Sequence, residues 1–154
     1  MEIEPRVTRD IYGMPAFLSL TVADVQASVD WYVNGLDFVS LFTLPGPDSA
    51  PALVHLRRWR YQDILVRPGR SQAGTGLTFS VLAEHGQLDQ LAERARRHGG
   101  GTVEGPLDTP WNTRDLRTVD PHGFALVFTA RRPADQRDER FGGTIERLSR
   151  EQLG

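Results

Sequence analysis

Residues 16 to 22, Ala-Phe-Leu-Ser-Leu-Thr-Val, alternate strictly, with Leu18, Leu20 and Val22 on one face and Phe17, Ser19 and Thr21 on the other. A period of two predicts a half-buried strand. Asp24 then stands where a helix cap is needed, ahead of Val25, Val29, Tyr32 and Val33 at the 3.6-residue period, and Gly35 reads as a left-handed stop just past the helix end. A second strand is predicted from Phe38 to Leu44. The same order of events recurs from residue 76. Gly-Leu-Thr-Phe-Ser-Val (76 to 81) again alternates, with Leu77, Phe79 and Val81 against Gly76, Thr78 and Ser80. A helix follows from about Gln87 to His98, with Leu88, Leu91, Ala92 and Ala95 on one stripe, and Gly99, Gly100 and Gly101 end it before a strand at Thr102. Each unit closes with two more strands, Ala52 to Trp59 and Tyr61 to Arg67 in the first, Arg114 to Val119 and Phe124 to Thr129 in the second.

The chain therefore reads as one duplicated unit, βαβββ written twice. In each copy the apolar face of the first strand has to pack on the helix that follows it, the nearest apolar stripe. The opposite faces, Phe17, Ser19 and Thr21 in one unit and Gly76, Thr78 and Ser80 in the other, are left to line a cavity. The expected organisation is an N-terminal arm (1–15), a single domain (16–130, with modules at 16–67 and 76–129) and a C-terminal tail (131–154). That tail can form a last short helix with Ile145, Leu148 and Leu153, although its density of arginine and acid makes a solvated tail the default.

Composition narrows the function classes. At 154 residues there is room for one sizeable core and no second domain. Net charge is −2, and the 18 basic residues, all arginine, are spread among acids, which argues against a nucleic-acid footprint. The absence of cysteine removes disulfides, zinc thiolates, iron–sulfur clusters and thiol nucleophiles. No apolar run is long enough for a membrane span. The charged first residues, Glu2 to Asp10, argue against a secretory leader, so the expected location is cytoplasmic. No G-x-S-x-G and no phosphate-binding loop is present.

Leu20-Thr-Val22-Ala-Asp24, the Trp31-Tyr32 pair, Gly35-Leu36-Asp37-Phe38 and the turn Asp120-Pro-His-Gly123, in this order and spacing, resemble the glyoxalase/bleomycin-resistance family of the vicinal oxygen chelate superfamily over residues 16 to 129. The resemblance implies an α+β fold in which two tandem βαβββ modules form a cup-shaped mixed sheet. It also implies a small-molecule ligand, a homodimer and, in enzymatic members, a divalent metal held by side chains of the first and last strands. Carried onto this chain, those ligand positions fall on Phe17, on or beside Gly76, on Val127, and near Asp63 to Leu65. At best Asp63 could donate. One carboxylate cannot hold a divalent ion that needs several donors at about 2.0–2.6 Å, so no metal and no cofactor are expected. The histidines do not replace the missing donors, because His55, His85, His98 and His122 share no ligand spacing.

The candidate ligand-binding residues are Phe17, Phe42, His55, Trp59, Tyr61, Asp63, Trp111 and Arg114. His55 shares a strand face with Leu53, Arg57 and Trp59 and is either an acid-base group or a strand histidine satisfied by a neighbour. Asp63 either contacts ligand or forms a structural pair with His55 or an arginine. Trp59, Tyr61, Trp111, Phe17 and Phe42 offer flat walls for a planar ligand, or else pack in the core or at a dimer interface. Trp111, in the loop Glu104 to Thr113, reads as a rim residue, and Arg114 and Asp115 either fix a ligand carbonyl or carboxylate or pair with each other. The expected function is metal-free sequestration of a hydrophobic or polycyclic ligand, as in antibiotic resistance, without nucleic-acid or membrane partners. The alternative is a lyase, isomerase or dioxygenase, either metal-dependent or cofactor-free through His55 and Asp63.

Overall fold

The structure, a computed structural model, describes residues 5–70 and 77–153. Its first unit consists of β1 (Leu18–Val22), α1 (Val25–Asp30), β2 (Val39–Pro45), β3 (Pro51–Arg57) and β4 (Asp63–Pro68). Its second consists of β5 (Thr78–Leu82), α2 (Leu88–His98), β6 (Thr102–Asp108), β7 (Thr113–Val119) and β8 (Ala125–Arg131), and α3 (Glu139–Leu153) ends the chain. Each unit makes a four-stranded sheet of the same topology, β1-β4-β3-β2 and β5-β8-β7-β6. In both, the first strand runs parallel to the last and the other pairs are antiparallel. The duplication read from the hydrophobic pattern is therefore a duplication of topology, and the α+β tandem-module fold is the one present.

The alternation of β1 does what its period requires. Leu20 and Val22 are buried on the helix side, while Ser19 stays exposed on the other. The Asp24 carboxylate accepts the Ala27 N–H at 3.0 Å and caps α1, a contact worth about 1 kcal/mol. The helix then widens into a π-helical turn at Trp31–Gly35, which brings Trp31, Tyr32 and Gly35 together to the inside.

The two units join through these helices. Gly35 lies against Ala95 and His98 of α2, and the Trp31 and His98 rings meet edge to face at 6.2 Å. A side chain at Gly101 would run into the Val119 carbonyl and come within 2.7 Å of the Trp31 ring, so this glycine makes room for the indole. The buried Tyr32 hydroxyl donates to Asp120 Oδ2 at 2.7 Å, and Asp120 Oδ1 accepts the His122 and Phe124 N–H groups, both at 2.9 Å. His122 closes the seam, with Nδ1 at 2.9 Å from the Ser28 hydroxyl and Nε2 accepting the Asp24 N–H. The Trp31-Tyr32 pair and the Asp120-Pro-His-Gly123 turn, far apart in sequence, are thus two halves of one inter-module joint.

Several local readings are corrected. The left-handed residue after the first helix is Asp37 (φ 67°), two positions beyond Gly35, which serves the helix contact instead. β3 ends at Arg57 and β4 begins at Asp63, so Trp59 and Tyr61 belong to the turn between them, with Tyr61 at φ 67°. The expected loop from Glu104 is strand as far as Asp108, leaving a short connection around Trp111. Leu77 is exposed where the alternation put it in the core. The tail takes the helical one of its two readings, as α3, and its apolar Phe141, Ile145 and Leu148 remain exposed.

Candidate functional site

The faces turned away from the helices are the open faces of the two sheets. On the first, strand register sets Ser19 beside Leu65, Leu65 beside His55, and His55 beside Phe42. The next row along sets Asp63 beside Arg57. Phe17, one residue before β1 and in phase with Ser19 and Thr21, is 48% exposed, and Phe42, at the opposite edge, is 38% exposed. The Phe42 ring stands edge-on to the His55 imidazole at 5.3 Å between centroids.

Part of this face is covered by the N-terminal arm. Asp63, fully buried, is the hub: Oδ1 accepts Arg57 Nε at 2.7 Å and lies 2.7 Å from His55 Nε2, and Oδ2 accepts the Tyr12 hydroxyl at 2.7 Å. Arg57 Nη1 donates to the Thr8 and Asp10 carbonyls at 3.1 and 2.7 Å, and its guanidinium lies 4.1 Å from the centre of the Tyr12 ring. Tyr12 in turn accepts the Tyr61 N–H at 2.7 Å. Burial, and next the hydrogen bond to Asp63, push the Tyr12 phenol up to about 12. The arm is thus fastened to the sheet by one buried ion pair whose oxygens are already supplied with donors.

Of the expected site residues, Phe17, Phe42, His55 and Asp63 share the first open face, the last two as an internal pair. Tyr61 stands beside them, its ring edge-on to Tyr12 at 5.2 Å. Trp59 does not join them. It is 4% exposed and lies in the turn, with the Arg58 guanidinium 4.3 Å from its ring centre. Arg114 points to the helix side, where it pairs with Asp89 of α2 at 3.1 Å, and its neighbour Asp115 is the one on the open face, accepting the Thr113 and Thr129 hydroxyls. Pairing of Arg114 with Asp115, one of the two readings open in the sequence, does not occur because adjacent strand residues face opposite ways. Trp111, 51% exposed, lines a cavity of about 360 Å³ with Phe141 and Ile145 of α3 and Arg131. Sequence reasoning missed Tyr12, which lies in a segment without periodicity. It noted Arg57 on the His55 face without assigning the pair.

The family-type metal positions can be tested against this geometry. Phe17 and Val127 have no donor atoms, Asp63 is committed to three donors, and the Gly76 position lies outside the described residues. Among the described residues no three His, Cys, Asp or Glu side chains converge as a metal site. The donor set does not fit a divalent ion.

The family model of the Glyoxalase/Bleomycin resistance protein/Dioxygenase superfamily matches residues 15–128. The chain belongs to this superfamily. No curated protein matches it. Among solved structures, a glyoxylase/bleomycin resistance protein/dioxygenase domain from Frankia sp. EAN1pec is similar at 25% identity and TM-score 0.64, covering 80% of this chain and 100% of that one. TioX from Micromonospora sp. ML1 is similar at 22% identity and TM-score 0.58, covering 77% and 99%. The fosfomycin resistance protein FosX from Listeria monocytogenes, complexed with Mn(II) and sulfate, is similar at 14% identity and TM-score 0.60, covering 79% and 93%. The last two likenesses are of fold alone. Within the described residues no helix of this superfamily member is long and apolar enough to cross a membrane.

Proposed function

We propose that this superfamily member is a cytoplasmic, homodimeric binding protein that sequesters a hydrophobic, polycyclic small molecule without a metal, as a means of antibiotic resistance. The observation that carries the reading is the character of the first open face. Exposed Phe17 and Phe42 flank a floor in which His55 Nε2 and Arg57 Nε are both taken up by the buried Asp63 carboxylate. Such a surface rewards apolar stacking and, among the described residues, has no free donor cluster with which to polarise a substrate. The second open face adds exposed Leu82 and Leu107 beside the small polar Thr78 and Ser80. The two sheets are separate four-stranded units with unpaired edges, and a second copy of the chain covers edges and apolar rims together.

A second reading has one observation in its favour. His55 Nε2 at 2.7 Å from Asp63 is the geometry of an oriented imidazole, and lifting the Tyr12 arm would open it to a substrate proton. Titration with a panel of planar polycyclic antibiotics separates the two readings. Phe17→Ala and Phe42→Ala should each weaken binding by about 1–4 kcal/mol, with a smaller loss of stability. Parent-like binding by both variants overturns the stacking site. Light scattering at the 17.2 kDa monomer mass at micromolar concentration overturns the dimer.

A further inference from the structure

Arg58 is the next residue along from the Arg57 pair, and it points the other way. It is 1% exposed, lies between the Trp59 and Phe128 rings at 4.3 and 5.0 Å, and donates from Nη1 to two neutral acceptors, Gln62 Oε1 at 3.3 Å and the Leu82 carbonyl at 3.1 Å. Among the described residues its buried Nε has no partner, and no carboxylate pairs with this guanidinium. Asp37 and Glu84 attract it only through space, and burial pulls it down to about 10, which leaves it charged at neutral pH. A buried cation without a paired anion is costly unless something supplies the counter-charge.

The same guanidinium lines a cavity of about 220 Å³ at the seam between the modules, with Asp37, Gln87, Gln90, Leu91 and Arg94. Arg94 is fully engaged there, with the Asn34 carbonyl at 2.9 Å and Asp37 at 3.0 Å, and it braces the wall. Gln87 and Gln90, on the first turn of α2 and just before it, are exposed and make no side-chain hydrogen bond among the described residues. We infer that this inter-module cavity is a binding site for a small carboxylate, whose two oxygens meet the Arg58 fork and the Gln87 and Gln90 amides. The planar fork matches a carboxylate, and the volume suits a ligand smaller than a drug. Asp37 and Glu84, close enough to act on Arg58, disfavour a dianion such as phosphate. The site lies on the helix side of both sheets, and its occupancy is independent of the open faces.

The test is an NMR titration of the full chain with acetate, and with chloride and inorganic phosphate at matched ionic strength. It follows the Arg58 Nε–H and the Gln87 and Gln90 side-chain amides. The expected result is a saturable acetate shift of all three, weaker with phosphate and absent with chloride. The surface double variant Gln87→Leu/Gln90→Leu, which leaves the buried residues untouched, should weaken acetate roughly tenfold or more. Arg58→Lys, which keeps the charge and loses the fork, should weaken it as well. Shifts that never saturate, that chloride reproduces, or that survive unchanged in the glutamine double variant overturn the site, and tighter binding of phosphate overturns its assignment to carboxylates.

Discussion

Asp63→Asn separates the structural role of the buried pair from a ligand-contact role. Asparagine is isosteric, and its Oδ1 can still accept from Arg57 and His55, but the negative charge is gone. Arg57 Nε then faces a neutral amide, and Arg57 Nη2 is already buried without a partner. Removing one partner of a buried ion pair costs about 3–5 kcal/mol, because the other charge stays desolvated and unpaired. For a chain of this size that corresponds to a melting midpoint lower by roughly 6–20 °C. Urea unfolding of the parent, Asp63→Asn, Arg57→Met and the double variant closes a thermodynamic cycle. The double variant should be less destabilised than the sum of the singles by about 2 kcal/mol or more, since Arg57→Met removes the orphaned charge. If Asp63→Asn unfolds within about 1 kcal/mol of the parent while ligand affinity collapses, Asp63 is a contact residue and the reasoning from burial is wrong.

The other expectations are more local. Trp59→Ala should cost about 3–5 kcal/mol of folding stability, as truncation of a buried tryptophan does, whereas Trp111→Ala should cost less than about 1 kcal/mol in the same denaturation assay. Tyr32→Phe keeps the ring, which lies edge-on to Phe38, and removes the hydrogen bond to Asp120, so the inter-module joint should lose about 1.5–3 kcal/mol by calorimetry or urea titration. The Tyr12 phenol is held above its ordinary value of 10, at about 12, so its contribution to docking the arm is whole below pH 10 and is lost as pH rises towards about 12. Limited proteolysis of the arm across that alkaline range should show it released, and Tyr12→Phe should abolish the transition.

The fold was legible because each module is written in two clean periods, two residues in β1 and β5 and 3.6 in the helices, and because the order repeats. The joint between modules was written as well, in Trp31-Tyr32 and Asp120-Pro-His-Gly123, but its meaning needs the Tyr32–Asp120 contact across 88 positions. Alternation misled where it was extended past a strand end. Trp59 and Tyr61 keep the phase of His55 and Asp63 on paper, yet the turn that carries them, with Tyr61 left-handed, resets that phase. Arg114 and Asp115 were ambiguous because β7 buries a polar residue, Thr118, whose hydroxyl donates to the Leu126 carbonyl. The alternation there has little hydrophobic contrast. The arm's contribution was illegible for a different reason: Tyr12, Thr8 and Asp10 meet Arg57 and Asp63 through hydrogen bonds that leave no periodic trace.

The proposed function requires that the ligand is held, unchanged, without a metal. It is tested most directly by equilibrium dialysis of chelator-treated protein against a panel of polycyclic antibiotics, followed by mass spectrometry of the recovered compounds. The expected result is the same affinity before and after chelation and a compound returned intact. Affinity that disappears with the chelator and returns with a divalent ion, or a compound returned chemically altered, would contradict it.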